Sequence, residues 1–376
     1  MGLPRNRSIL LSGLIAIFTA AIVPLADSSG PAAGPRLALI KFFGKKSAKG
    51  GAKYGAPFFS LSTVSPSGAE SQTLAQGREE VSFRDRVVPV EGQPSWSADG
   101  ARIAFVGTAD GSERWIYVAS ADGSEVNEIP ETYETTNPVL SPDGRVLVVA
   151  RFHHRCSVHK CSDKRIICGG GTSIWRIDLE SGKQRRLTRW QNGVHYTPSS
   201  FSPDGSKLAI SREVRPSTCG DYWPRHPRDF SVLMMGLDGS DPEILARAAA
   251  EPVISPDGSA VAYLSVRARP YGAARALVSD LSIMNIDGTS GRRLTRTWNE
   301  VESAPSWDPS GQRLAYIETR LQAYGRSGME YPFGNSIRQV NADGTCSKRT
   351  ISQPDVVLYG VAWQPGVDRA AGPIAC

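Results

Sequence analysis

The residues best able to do chemistry in this 376-residue chain are its five histidines and six cysteines, and most of them lie close together. His153, His154, Cys156, His159 and Cys161 share one short tract, with Cys168, His195, Cys219 and His226 following. Imidazole nitrogens and thiolates in such a tract are able to ligate zinc. In an oxidising compartment the same cysteines form cystines instead, and that reading is preferred here. Cys156, Cys161, Cys168 and Cys219 are therefore expected to make two disulfides, with all three pairings open. No metal or other cofactor is expected; were a metal bound, His153, His154, His195 and His226 would be its ligands. Cys346 and Cys376 are expected to bond to each other and pin the C-terminus.

Motifs for catalysis are missing. The chain contains no Gly-x-Ser-x-Gly nucleophile elbow, no His-Glu-x-x-His and no phosphate loop. Its recurrent Asp-Gly pairs lack the alternating oxygen ligands of a calcium loop and read as turns. No catalytic residue is assigned.

What must position these side chains is a repeat. A small or proline residue, an apolar residue and Ser-Pro-Asp-Gly precede an aliphatic strand, as in Val139-Leu140-Ser141-Pro142-Asp143-Gly144 before Val146–Ala150. The phrase returns at Ser97–Gly100, Ser202–Gly205, Ser255–Gly258 and Asp308–Gly311, with a shortened copy ending at Gly366. Between copies runs a second phrase, a strand, an Asp-Gly turn and often Arg-Arg-Leu-Thr, as at Arg185–Thr188 and Arg292–Thr295. Each unit is then four short antiparallel strands, and such a sheet must stack on its neighbours to bury both faces. Five units and a fragment leave a ring open. Strands at Gly34–Ile40, Pro57–Ser62 and Gln72–Leu74 are expected to complete it with Tyr359–Trp363 from the other end. The fold class is all-β, a six-bladed β-propeller of four-stranded blades, closed by strands from both termini.

The Ser-Pro-Asp-Gly and Asp-Gly…Arg-Leu-Thr phrases resemble the propeller repeat of the TolB family over about residues 34–366. Leu140, Phe201 and Ile254 stand where that repeat usually has Trp, which keeps an apolar side chain in place. The α/β domain that precedes the propeller in TolB is not matched. The resemblance implies a binding role in the cell envelope. It also implies a second reading, because some propellers with similar repeats are metal-dependent lyases acting on acidic oligosaccharides.

The remaining sequence bounds location and partners. Arg5 and Arg7, then an apolar run from Ile9 to Val23, lay out a secretory signal peptide over 1–28, or an anchor if it is retained. The expected domains are that signal, a propeller over 34–366 with its sixth blade shared by 34–76 and 357–366, and a tail over 367–376. Export to the periplasm or the cell exterior follows. The formal charge of +6 sits almost wholly before residue 55, where eight basic residues face one acid, so the body is nearly neutral. That distribution argues against nucleic acid. The expected function is a monomeric, non-enzymatic module that binds a protein or envelope component, with no membrane span once the signal is cleaved. Long inserted loops at about 151–171, 212–229, 267–279 and 320–334 would form its binding face. Candidate contacts there are His195, Tyr196, Trp223, His226, Trp298 and Glu300, aromatic residues set beside charge.

Overall fold

A computed structural model describes residues 36–43, 58–66, 71–78, 93–107, 115–158, 166–215, 226–240, 242–271, 274–298, 300–320, 322–324, 328–330, 335–352, 356–366 and 373–376. The expected signal peptide, His159, Cys161, Cys219 and Trp223 lie outside them.

The described chain is all β apart from one 3-10 turn, Pro227–Asp229, and its strands come in runs that pair in order. The first run is β1 (Leu37–Phe43), β2 (Phe58–Val64) and β3 (Ser71–Arg78). Next come β4 (Ser95–Trp96), β5 (Arg102–Gly107), β6 (Trp115–Ser120) and β7 (Val126–Glu128). They are followed by β8 (Thr135–Leu140), β9 (Val146–Val158), β10 (Ile166–Asp178) and β11 (Gln184–Arg186). The fourth run is β12 (Val194–Phe201), β13 (Lys207–Val214), β14 (Phe230–Gly236) and β15 (Glu243–Arg247). Then follow β16 (Ala249–Ile254), β17 (Ala260–Tyr271), β18 (Ala274–Asn285) and β19 (Arg292–Arg293). The rest are β20 (Glu300–Trp307), β21 (Arg313–Arg320), β22 (Gln322–Tyr324), β23 (Gly328–Glu330), β24 (Ser336–Asn341), β25 (Lys348–Ser352) and β26 (Val356–Trp363).

The arrangement is propeller-like, but the sheets are not the six separate ones that the repeat predicts. Four are separate and four-stranded, β22 pairs only with β23, and one sheet has eight strands. The physical reason is local. Within the large sheet β16–β19 form one antiparallel run and β20, β21, β24 and β25 of β20–β25 form another, and a single parallel bridge, Ser279 to Val301, joins them. The C-terminal strand does return to the start: β26 pairs antiparallel with β1 from Leu37–Trp363 to Phe43–Val356.

The repeated phrases now have physical roles. Ser141 Oγ donates to Asp143 Oδ1 (2.5 Å) and accepts from the Val146 amide (2.9 Å), while Asp143 Oδ1 accepts from the Arg145 amide (3.0 Å). Ser97/Asp99, Ser202/Asp204 and Ser255/Asp257 repeat that set. In the fifth copy Asp308 replaces the serine and accepts from the Gln312 and Arg313 amides. In the four serine copies these hydrogen bonds hold Asp99, Asp143, Asp204 and Asp257 below the usual carboxylate range, Asp204 at about 2. Glycine closes each turn at positive φ, as at Gly258 (φ +75). A Cβ there would sit 3.5 Å from the Pro203 Cδ of the preceding turn, and Pro142 and Pro256 lie over Gly205 and Gly311 in the same way.

The threonine of Arg-Leu-Thr is a clasp. Thr188 Oγ1 accepts from the Ile174 amide and Thr295 Oγ1 from the Leu281 amide, both at 2.9 Å, which fastens the outer segment of a run to its third strand. Inner strands are buried on both faces. Leu147, Val148, Val149 and Ala150 are all fully enclosed, because Val148 belongs to one core cluster with Phe201 and Ile210 of one neighbouring run and Leu147 to another with Ala104 and Val118 of the other.

Two expected loops prove to be sheet. β9 and β10 pair without a break to Val158–Ile166, and β17 and β18 to Tyr271–Ala274. The antiparallel ladder simply continues outward, since each added residue pair satisfies its own backbone groups. In the first of these hairpins Cys156 stands directly opposite Cys168. Facing positions of an antiparallel ladder lie within the Cα separation that a cystine spans. A non-reducing peptide map is expected to return Cys156 joined to Cys168, leaving Cys161 for Cys219. Recovery of a Cys156–Cys161 peptide would reject that assignment.

Candidate functional site

The opening strands of the runs, β4, β8, β12, β16, β20 and β26, converge on one cavity of about 450 Å³. At their far ends the same strands, with Pro142, Pro203, Pro256, Pro309 and Pro365 of the turns, line a second space of about 530 Å³. Together they make a central channel with a proline-rimmed end and a polar end.

The opening strands are bent at the polar end. β8, β16 and β20 each carry a bulge before a proline, where Asn137 (φ 51), Glu251 (φ 48) and Ala304 (φ 53) take the left-handed conformation. That conformation costs a non-glycine residue about 1–2 kcal/mol, and it re-aims the strand at the cavity. The bends are tied to one another. Glu251 Oε2 accepts from the Ala304 amide at 2.6 Å, and the Glu251 amide donates to Ser211 Oγ at 2.8 Å. A belt of serines links neighbouring runs deeper in: Ser95, Ser200 and Ser306 accept from the amides of Leu140, Ile254 and Trp363.

The ionisable groups that line this end are Glu213, Arg215, Glu251 and His195, set among hydroxyls of Thr136, Thr197, Ser199 and Ser303 and the rings of Phe152, Phe230 and Tyr359. Arg215 is bidentate on Glu213, at 2.6 and 3.1 Å. Burial, and secondarily the Arg215 charge, pull His195 down to about 4, so it is neutral at ordinary pH. With two carboxylates against one guanidinium, the cavity wall is mildly acidic.

Of the described candidate contacts, only His195 lines this cavity. Tyr196 is drawn into the fold, its backbone N–H and C=O both bonded to the Thr172 hydroxyl at 2.6 Å. His226 caps the 3-10 turn, Nδ1 accepting from the Arg228 amide at 3.2 Å. Trp298 is 71% exposed under the Arg269 guanidinium (5.1 Å), and Glu300 sits 3.8 Å from Arg320. Of the histidines named for a metal, His153 bonds Ser173 Oγ at 2.6 Å and the His154 side chain lies outside the described ones; among the described residues no three His, Cys, Asp or Glu side chains form a group. Cys346 and Cys376 are bonded, with Cα atoms 5.0 Å apart, and Ile374 adds two hydrogen bonds to Asn341. The bulge residues and Arg215 were missed from sequence. A residue-proline pair just before each apolar repeat core was the available signal for the bulges.

No protein-family model matches the chain. It is 26% identical over 143 residues to the uncharacterized peptidase YuxL of Bacillus subtilis, covering 32% of this chain and 22% of that protein. It is homologous to the Tol-Pal system protein TolB of Francisella tularensis, 25% identical over 276 residues, covering 62% of this chain and 55% of TolB. This chain thus spans only part of the length of either relative. Among solved structures, TolB from Acinetobacter baumannii superposes with a TM-score of 0.56 at 19% identity, over 88% of this chain and 67% of that one. The propeller fold is common to both.

Proposed function

We propose, from the homology to the TolB propeller, that this chain is an exported, non-enzymatic binding module whose polar channel mouth holds an extended segment of a protein or envelope partner. The eight-stranded sheet counts as two blades joined at the Ser279–Val301 bridge, which makes six blades with the one formed by β26 and β1–β3. The segment over 1–28 is a secretory signal, and the mature protein works as a monomer in the periplasm or outside the cell. Trp298, Glu300, His226 and Trp223 add further contacts to the partner.

One observation carries this reading. Six opening strands present hydroxyls and aromatic rings to a single cavity, three of them with bent backbone, while Arg215 is already paired with Glu213 and Glu251 is bonded to the Ala304 amide. Hydroxyls and rings over a rigid frame suit a peptide. The charge balance favours neutral or basic segments, and an acidic oligosaccharide would meet two carboxylates and a guanidinium already paired. That weighs against the lyase reading.

The test is calorimetric titration with ten-residue peptides of basic, neutral and acidic composition. Basic peptides are expected to bind at least about tenfold tighter than acidic ones, with affinity falling as salt rises. Thr197→Trp, which fills the cavity, is expected to remove binding while leaving the melting temperature within a few degrees. His195 stays uncharged above about pH 4 and adds no pH dependence between pH 5 and 8. Cleavage of acidic oligosaccharides, or peptide binding untouched by Thr197→Trp, would reject the proposal.

A further inference from the structure

Glu302 lies in β20 two residues before the bulge at Ala304, fully buried. At the same station before their own bulges β8 has Thr135 and β16 has Ala249, neither of them charged. The Glu302 side chain is bonded across to the neighbouring run. Its Oε2 accepts from the Leu281 amide (2.5 Å) and from the Thr295 hydroxyl (2.6 Å). Ser279 Oγ brackets its backbone, donating to Glu302 O (2.6 Å) and accepting from Glu302 N (3.0 Å). Beside these bonds lies the one parallel bridge that joins β18 to β20. The second oxygen, Oε1, is buried and has no hydrogen-bond partner.

A buried carboxylate with one bare oxygen is costly when ionised. A proton on Oε1 removes the charge and leaves Oε2 with both of its donors. Arg267 feels the Glu302 charge, but the guanidiniums nearby are committed to other carboxylates. Arg267 of β17 and Arg293 of β19 are paired with Asp280 of β18, and Arg338 and Arg349 of β24 and β25 with Glu318 of β21. Arg320 faces Glu300, and the Tyr316 hydroxyl is buried against Ser347. The charges of Asp280 and Glu318 oppose a further negative charge, and burial opposes it more, so the carboxyl is pushed up to about 7 despite Thr295 and the Leu281 amide.

We propose that Glu302 is a proton-held latch between the run β16–β19 and the run β20–β25, closing their junction when neutral and loosening it when ionised. The folded junction keeps a proton that the opened chain releases near 4.5, its ordinary value. Its stabilising effect is therefore complete below about pH 4.5 and is lost as pH rises through about 7.

Hydrogen exchange read by mass spectrometry tests this, with rates normalised to those of the unfolded chain at each pH. Between pH 5 and 8, opening of peptides covering β18 and β20 is expected to rise by up to about a hundredfold, while the run β12–β15 stays level. Glu302→Gln keeps an acceptor for Leu281 and Thr295 and has no proton to lose, so its β18 and β20 peptides should show no such rise. Should that variant fail to fold, Glu302→Ala, which copies the residue at the β16 station, is read in the same way. An equal rise in the variant, or an equal rise across β12–β15 in the parent protein, overturns the proposal.

Discussion

Replacing Asp280 with alanine is expected to lower the free energy of unfolding by about 3 kcal/mol, the low end for breaking a buried ion pair. Asp280 has no exposed surface, and its carboxylate gathers four donors. Arg267 reaches it through Nε (2.8 Å) and Nη2 (3.1 Å), and Thr297 through its amide (3.0 Å) and hydroxyl (3.2 Å). Removing the carboxylate leaves these donors facing an apolar void. Arg267 is about a quarter exposed, which lets water recover part of the loss and sets the estimate at the low end. Asp280→Asn keeps one acceptor oxygen but turns an amide toward the guanidinium, so it should fall between the parent and the alanine variant. Urea titration measures both; a midpoint moved by under about a third of this, at unchanged slope, would show that the pair contributes little.

Trp363→Ala carries the second large effect, about 3–5 kcal/mol. The ring is 3% exposed in β26 and packs with Leu37, Leu39, Ile317 and Val361, where strands from the two chain ends meet. The Arg313 guanidinium lies 4.9 Å from its centre. Its indole N–H, however, is buried without a partner. Trp363→Phe should therefore cost under about 1.5 kcal/mol, the range of a conservative core exchange, because it discards an unsatisfied donor with the lost area. If thermal melts place the alanine and phenylalanine variants together, the packing argument for this ring fails.

How far the sequence spoke depended on whether the signal repeated. Ser141-Pro142-Asp143-Gly144 and its copies declared both the turns and the strands that follow, because side-chain bonds, proline geometry and glycine each act within six residues. The return of β26 to β1 was legible as a missing strand, and the Cys346–Cys376 bond as two residues reaching the same face. The outward hairpins were not legible. Between Arg151 and Gly171 polar residues and glycines carry no alternation, although β9 and β10 pair residue for residue out to Val158–Ile166. Nor was the channel mouth. Glutamate and alanine at positive φ run against local preference, and only the bulges forced by ring geometry put Glu251 and Ala304 there. Nor were Asp280 and Glu302, since nothing in a single chain marks which acid a neighbouring run will enclose.

The C-terminal cystine also decides how the ring bears mechanical load. Chain leaves β1 at Leu37 and β26 at Trp363 from the same end of their shared ladder, where the Gln364 amide still reaches Arg36 O at 2.8 Å. Tension applied through those two points would peel the rungs apart one at a time, the weak direction for a ladder. With Cys376 bonded to Cys346, a pull on the C-terminus enters the ring at the β24–β25 hairpin instead. β26 then lies slack inside a loop of 30 residues and carries none of the force. Reduction of that one bond hands the load back to the seam, so the redox state of the surroundings sets whether the ring is pulled as a closed body or unzipped from its joint.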